Sequence, residues 1–233
     1  MNANGFEKLH GIDEMDEKQV LTLCRTAEWL TRQKLSGTIE LYRPVKVQTG
    51  RTPRQTGARR IRRTNVMKRI GILGAGTWGM ALARMLTVSG NDVLVWSAIE
   101  KEIDSLSTTR KHPNLPQMKI PDELRFTKSI EEVCKDKDIL LFAVPSVFVR
   151  STAAKARPYV ADGQIIVDVA KGIEPDTLYT MTEILADELG KEGGPKGVRL
   201  VALSGPTHAE EVAIDLPTTI VSASKDRAVS YTH

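Results

Sequence analysis

The chain has 233 residues, 41% of them hydrophobic and 27% charged, a balance that suits a globular protein of one large domain or one and a half. Its 33 basic and 29 acidic residues give a net charge of +4, and its two cysteines, Cys24 and Cys134, stand far apart with no metal-ligand spacing, which argues against a disulfide scaffold or a metal site. No apolar run approaches the length of a bilayer span and Met1–Asp16 lacks the apolar stretch of a signal peptide, so a cytoplasmic protein is expected.

Residues 1–67 read as an extension ahead of the main domain. Asp16–Leu35 sets Val20, Leu21, Leu23, Trp29 and Leu30 at amphipathic helical spacing, and Thr38–Tyr42 is short and strand-like. Residues 43–69 then carry ten basic side chains and no acidic one. Arg51, Arg54, Arg59, Arg60, Arg62 and Arg63 lie among Thr, Gln, Gly and Pro, the composition of a disordered basic arm. Such an arm attracts nucleic acid or anionic lipid by charge, yet it lacks the interleaved aromatics of a base-reading surface, so nucleic acid is not an expected partner.

The most informative stretch follows. Lys68–Leu73 is an apolar strand, Gly74, Gly76 and Gly79 fall in G-x-G-x-x-G spacing, Met80–Val88 keeps an apolar helical face, and Asp92–Trp96 is a second strand. In that context each glycine has a purpose. Gly74 permits the tight turn, Gly76 lets backbone approach a pyrophosphate, and Gly79 lets the helix lie close to the strand; Ala75, Thr77 and Trp78 complete the turn. The amides opening the helix, from about Thr77, then face the phosphates with the helix dipole behind them. Where such folds prefer NAD, an acidic residue ends the second strand and binds the ribose. Here the strand ends Trp96-Ser97-Ala98, so Ser97 with Lys101 is expected to tolerate a 2′-phosphate and NADP(H) to be accepted at least as well as NAD(H). Glu100 and Glu102 stand close by and leave the preference open.

Helix and strand signals keep alternating, as a doubly wound, mostly parallel sheet of the Rossmann type requires. Ile99–Ser107 reads as a helix, Pro113–Pro116 as a loop, Leu124–Thr127 as a small strand and Ser129–Lys135 as a helix with Cys134 in the core. Asp138–Val144 is a buried strand ended by Pro145, Val147–Val160 a helix, and Gln164–Val169 another buried strand. Asp176–Leu189 reads as a helix, and Arg199–Leu203 and Thr218–Ser222 as the last strands.

Ligands of open α/β sheets lie beyond the carboxyl ends of the strands, which here read Ala143-Val144-Pro145-Ser146, Ala170-Lys171-Gly172-Ile173-Glu174 and Ser204-Gly205-Pro206-Thr207-His208-Ala209-Glu210-Glu211. Lys171 directly follows a buried strand, where its ammonium would meet a phosphorylated substrate. Gly205-Pro206-Thr207 can form a rigid turn presenting a hydroxyl and amides, with a simple helix cap by Ser204 or Thr207 as the plainer reading. His208 is better read as a packing or capping residue than as an acid–base group, and adjacent Glu210 and Glu211 as favouring a helix N-terminus.

With GAGTWG, these three strand ends resemble the NAD(P)-dependent glycerol-3-phosphate dehydrogenases of bacteria, over about Lys68 to Asp226. The resemblance implies reduction of dihydroxyacetone phosphate to sn-glycerol 3-phosphate, a phospholipid precursor, with NAD(P)H. It assigns Thr77, Trp78, Phe148, Lys171 and Ala209 to the coenzyme, and Lys171, Gly205 and Thr207 to the substrate. Asn114 departs from the family's aromatic before Leu-Pro. The general-acid lysine and the rest of the phosphate site belong to a helical C-terminal domain expected beyond His233, so catalytic residues, activity and any homodimer are expected of the full-length enzyme and little turnover of this chain. Such enzymes commonly begin near Met67, and Val229–His233 departs from them and resembles translated adapter sequence, so residues 227–233 read as a non-native tail. Two other readings compete: a ketopantoate-type or β-hydroxyacid reductase, which would share the glycine motif but not A-K-G-I-E and S-G-P-T-H-A-E-E, and a non-catalytic NAD(P)-binding regulator that uses the basic arm.

Overall fold

A computed structural model describes residues 67–226. The helix expected over 16–35, the strand over 38–42, the basic arm and the tail over 227–233 lie outside the described residues.

Seven strands form one sheet: β1 (Arg69–Leu73), β2 (Asp92–Trp96), β3 (Arg125–Thr127), β4 (Ile139–Phe142), β5 (Ile165–Asp168), β6 (Arg199–Ser204) and β7 (Val221–Ser224). Their order is β3-β2-β1-β4-β5-β6-β7, with every neighbouring pair parallel except β6 and β7. The chain therefore builds outward from β1 on one side and then, from β4, on the other. The reversal between β1 and β4 opens a crevice at their carboxyl ends, the place where open sheets bind ligands.

Six helices cover the sheet: α1 (Thr77–Val88), α2 (Glu100–Thr109), α3 (Ile130–Cys134), α4 (Val149–Ala156), α5 (Met181–Leu189) and α6 (Ala209–Ala213). Alternation along the strands assigns the two faces. Ile70, Ile72, Val93 and Val95 pack with Met80, Ala83, Ile103 and Val212 of α1, α2 and α6. Leu73, Leu94, Leu140 and Phe142 pack on the other face with Val133, Val149, Ile184 and Leu185 of α3, α4 and α5. Burial of such side chains stabilises by about 1.5–3 kcal/mol each, so both helical layers are held chiefly by the sheet. Cys134 lies in this second layer as expected, and burial pushes its thiol up to about 12, leaving it protonated and inert.

Three of the boundaries that differ from expectation have identifiable causes. The helix expected over 147–160 is divided: Ser146–Phe148 and Arg157–Tyr159 are tight 3-10 turns flanking α4, the second containing Pro158, which lacks the amide a continuing helix needs. The helix expected from Asp176 begins at Met181, because Leu178 takes a left-handed φ of 60° and Thr180 and Glu183 close a capping box. The last strand is Val221–Ser224 rather than 218–222, since the Thr219 carbonyl lies over the Gly205 turn, 2.7 Å from where a Cβ on Gly205 would stand. Among the described residues, no helix is long and apolar enough to cross a membrane, and no cluster of three or more His, Cys, Asp or Glu could hold a metal.

Candidate functional site

The glycine turn is built by close contacts that leave one side open. Gly74 has φ of 123°, a backbone shape side chains resist, and a Cβ there would fall 2.6 Å from the carbonyl of Ala143. Its amide donates to Trp96 O at 2.8 Å, which fixes the turn against the end of β2. A Cβ on Gly79 would sit 2.2 Å from Gly74 O, so α1 can lie against the turn only through a hydrogen at that position. Gly76, the residue capping α1, is different: a Cβ there would meet nothing within 4 Å. Its missing side chain answers no protein neighbour, which fits a ligand drawn against that backbone. No acidic residue occupies the first turn of α1, so the positive end of the helix dipole is uncompensated by side chains. The residues present therefore fit a dinucleotide.

Beside this turn a cleft of about 360 Å³ opens at the carboxyl ends of β1, β4, β5 and β6. Its lining comes from four strand ends: Gly76, Thr77 and Trp78; Ala143, Val144 and Pro145; Val169, Ala170 and Lys171; and Thr207, His208 and Ala209. Lys171 and His208 are the titratable side chains of that lining, and no carboxylate belongs to it. Lys171 Nζ donates to Gly205 O at 3.1 Å and reaches Thr207 Oγ1 at 3.5 Å, so the β5 and β6 ends meet through its ammonium. Desolvation holds its pKa below the ordinary lysine value. A partly dehydrated ammonium in a cleft free of carboxylates is suited to a phosphate or a polarised carbonyl oxygen.

Ion pairs outside the cleft fix its walls. Arg150 grips Glu174 with both carboxylate oxygens at 2.7 Å and also meets Asp187, fastening the loop that carries Lys171 to α4 and α5. Arg84 of α1 grips Asp215 at 2.7 and 2.8 Å, fastening the turn after α6 to the glycine helix. Asp168, at the end of β5, is 4% exposed and accepts the Ala170 amide at 3.1 Å; burial pushes its carboxyl up to about 7.

The sequence-derived residues are thus distributed unevenly. Gly76, Thr77, Trp78, Lys171, Thr207 and Ala209 share the cleft, with Gly74, Ala75 and Gly79 in the turn behind it and Gly205 beneath Lys171. Phe148 and Ser97 do not line it: Phe148 is 55% exposed on the 3-10 turn after Pro145, and the Ser97 hydroxyl donates to Glu102 at 2.6 Å while accepting the Ile99 amide. Neither Ser204 nor Thr207 caps α6; His208 holds that position without a side-chain cap, leaving Thr207 Oγ1 to Lys171, while Glu210 and Glu211 fall in the first turn as expected. Asp168 and the Arg150–Glu174 clamp escaped the sequence reading. The lone carboxylate in the apolar run QIIVDV was the one available signal among them.

The family model for the N-terminus of NAD-dependent glycerol-3-phosphate dehydrogenase matches residues 69–230. The chain belongs to that family. It is 68% identical over 164 residues to the NAD(P)+ glycerol-3-phosphate dehydrogenase 2 of Lactobacillus delbrueckii subsp. bulgaricus, covering 70% of this chain and 49% of the relative. The NAD(P)+ glycerol-3-phosphate dehydrogenase of Agathobacter rectalis is 47% identical over 160 residues, covering 68% and 46%. The crystal structure of glycerol-3-phosphate dehydrogenase from Coxiella burnetii superposes with a TM-score of 0.61 at 30% identity, covering 70% of this chain and 49% of that one. The chain therefore spans about half the length of the curated dehydrogenases it matches.

Proposed function

We propose that residues 68–226 are the NAD(P)H-binding domain of an enzyme that reduces dihydroxyacetone phosphate to sn-glycerol 3-phosphate. The observation that carries this reading is the sharing of one cleft by the glycine turn and Lys171. When bound, the reduced nicotinamide supplies the hydride. The amides of Gly76, Thr77 and Trp78 take the pyrophosphate, and Gly74, Ala75 and Gly79 hold those amides in place. Thr77, Trp78, Phe148, Lys171 and Ala209 are assigned to the coenzyme, with Ser97 at its ribose end. Lys171, Gly205 and Thr207 are assigned to the substrate, where the ammonium offsets the charge of the phosphate or of the carbonyl oxygen as it gains electrons. Membership of the family supports the substrate class, and the absence of carboxylates from the cleft lining supports an anionic ligand. The same reading puts the enzyme in the cytoplasm, where phosphorylated trioses and free nicotinamide coenzymes meet, and assigns any homodimer to the full-length protein.

Titration with NADH and NADPH tests the coenzyme half, because Trp78 lines the cleft and its fluorescence should be quenched by either one. Failure of both to bind would reject the reading. For the substrate half, Lys171→Ala in the full-length enzyme should raise KM for dihydroxyacetone phosphate or lower kcat by about 100-fold or more, the scale set by losing one preorganised charge. Unchanged kinetics would remove Lys171 from the site.

A further inference from the structure

The end of β2 beside the glycine turn carries a carboxylate that the strand itself lacks. Glu102, in the first turn of α2, accepts the Ser97 hydroxyl at 2.6 Å, and that hydroxyl accepts the Ile99 amide at 3.1 Å. Ser97 directly follows Trp96, whose carbonyl holds the Gly74 amide, so this carboxylate stands next to the turn rather than out along the sheet. Close by, His112 is 4% exposed and accepts the Asn114 amide at 3.2 Å on Nδ1; burial lowers its pKa, against the opposing effects of the Ala75 backbone and the Glu102 charge. Glu102 is thus fixed beside the end of β2 through Ser97.

The neighbouring charges are engaged elsewhere or turned away. Glu100 and Asp104 share Lys128, at 3.7 and 2.7 Å. Lys101 is exposed and, one residue from Glu102 on a helix, projects about 100° away from it. In dinucleotide folds the end of the second strand receives the adenosine ribose, and a carboxylate there accepts the 2′-hydroxyl but repels a 2′-phosphate.

We propose that Glu102, held in place by Ser97, is the residue that sets the ratio of NADH to NADPH affinity in this chain, an inference that rests on the coenzyme reading of the glycine turn. The strand-end acid of other dinucleotide folds is here replaced by a helix-borne carboxylate tied back to the strand through a serine. Both coenzymes remain ligands, and Glu102 weighs against the phosphorylated one.

Calorimetric titration of the whole chain with NADH and with NADPH tests this directly. Glu102→Gln, which can still accept the Ser97 hydroxyl, should lower the ratio of the NADPH Kd to the NADH Kd by about tenfold, as expected for removing one charge some ångströms from a phosphate dianion. Glu102→Asp keeps the charge and should hold the ratio within about threefold of the parent. The unmodified chain supplies a readout independent of any variant: raising ionic strength from about 0.05 to about 0.5 M screens the repulsion, so NADPH should gain on NADH. A ratio indifferent to Glu102→Gln, or one in which NADPH loses to NADH as salt rises, would overturn the inference while leaving the coenzyme reading intact. Failure of either coenzyme to bind the unmodified chain would instead overturn the reading beneath it.

Discussion

Gly76 and Gly79 occupy the same motif but face different neighbours, and that difference separates binding from folding. A methyl at Gly79 would collide with Gly74 O, whereas one at Gly76 would enter open space. Gly79→Ala should therefore cost about 2–3 kcal/mol of stability, read as a lowered Tm, despite the better helix propensity of alanine. Gly76→Ala should melt within about 1 kcal/mol of the parent, since Gly76 has φ of −66°, but should bind NADH at least about tenfold more weakly. If Gly76→Ala binds as tightly as the parent, no ligand backbone approaches there. The spacing of the three glycines was legible in the sequence because the motif requires it. The open side of Gly76 was not, because only the surrounding atoms distinguish a glycine needed by the protein from one needed by a ligand.

Among the elements, the strands were legible wherever both faces are buried, since continuous apolar runs such as ILLF of β4 leave little choice of structure. The boundary of α5 was not, because apolar spacing continues upstream of the true start while the boundary depends on side-chain hydrogen bonds. Thr180 Oγ1 accepts the Glu183 amide, and the Glu183 carboxylate accepts the Thr180 amide at 2.8 Å. Glu174 and Tyr179 are joined through their backbones just before it, so the helix start and the Lys171 loop are one structural unit. Thr180→Ala should destabilise by about 1 kcal/mol and lower Tm by about 2–4 °C, with Thr180→Ser close to the parent. An equal loss in both variants would mean that the hydroxyl is not what caps the helix. β7 shows the same limit on a larger scale: TTIVS has strand composition, but its first residues cross over Gly205, a contact between segments that no local pattern contains.

For the molecule as a whole, a doubly wound, mostly parallel sheet follows from alternating helices and strands, while the long-range ion pairs do not, because charge pairing between distant segments leaves no periodic mark. Two of the buried or paired carboxylates make opposite contributions to stability across pH. The Arg150 guanidinium, with a smaller share from Thr177, holds Glu174 down at about 2 instead of its usual 4.5. That contribution is complete above about pH 4.5 and is lost as pH falls toward 2, because there the unfolded chain takes up the proton first. Asp168 works the other way. Burial lifts it from 3.8 to about 7, so between those values the folded chain holds a proton that the unfolded chain has released, and stability falls as pH rises through that window. Asp168→Asn keeps an acceptor for the Ala170 amide and removes the titration. Its unfolding free energy should match or trail the parent's near pH 4 and exceed it by pH 8, by an amount on the order of a few kcal/mol, with the melting temperature moving in the same direction. Glu174→Gln should instead trail the parent most above pH 4.5 and converge with it toward pH 2. Thermal melts of the three proteins across that range separate the two carboxylates, and an Asp168→Asn curve parallel to the parent at every pH would show that Asp168 ionises as readily in the folded chain as in the unfolded one.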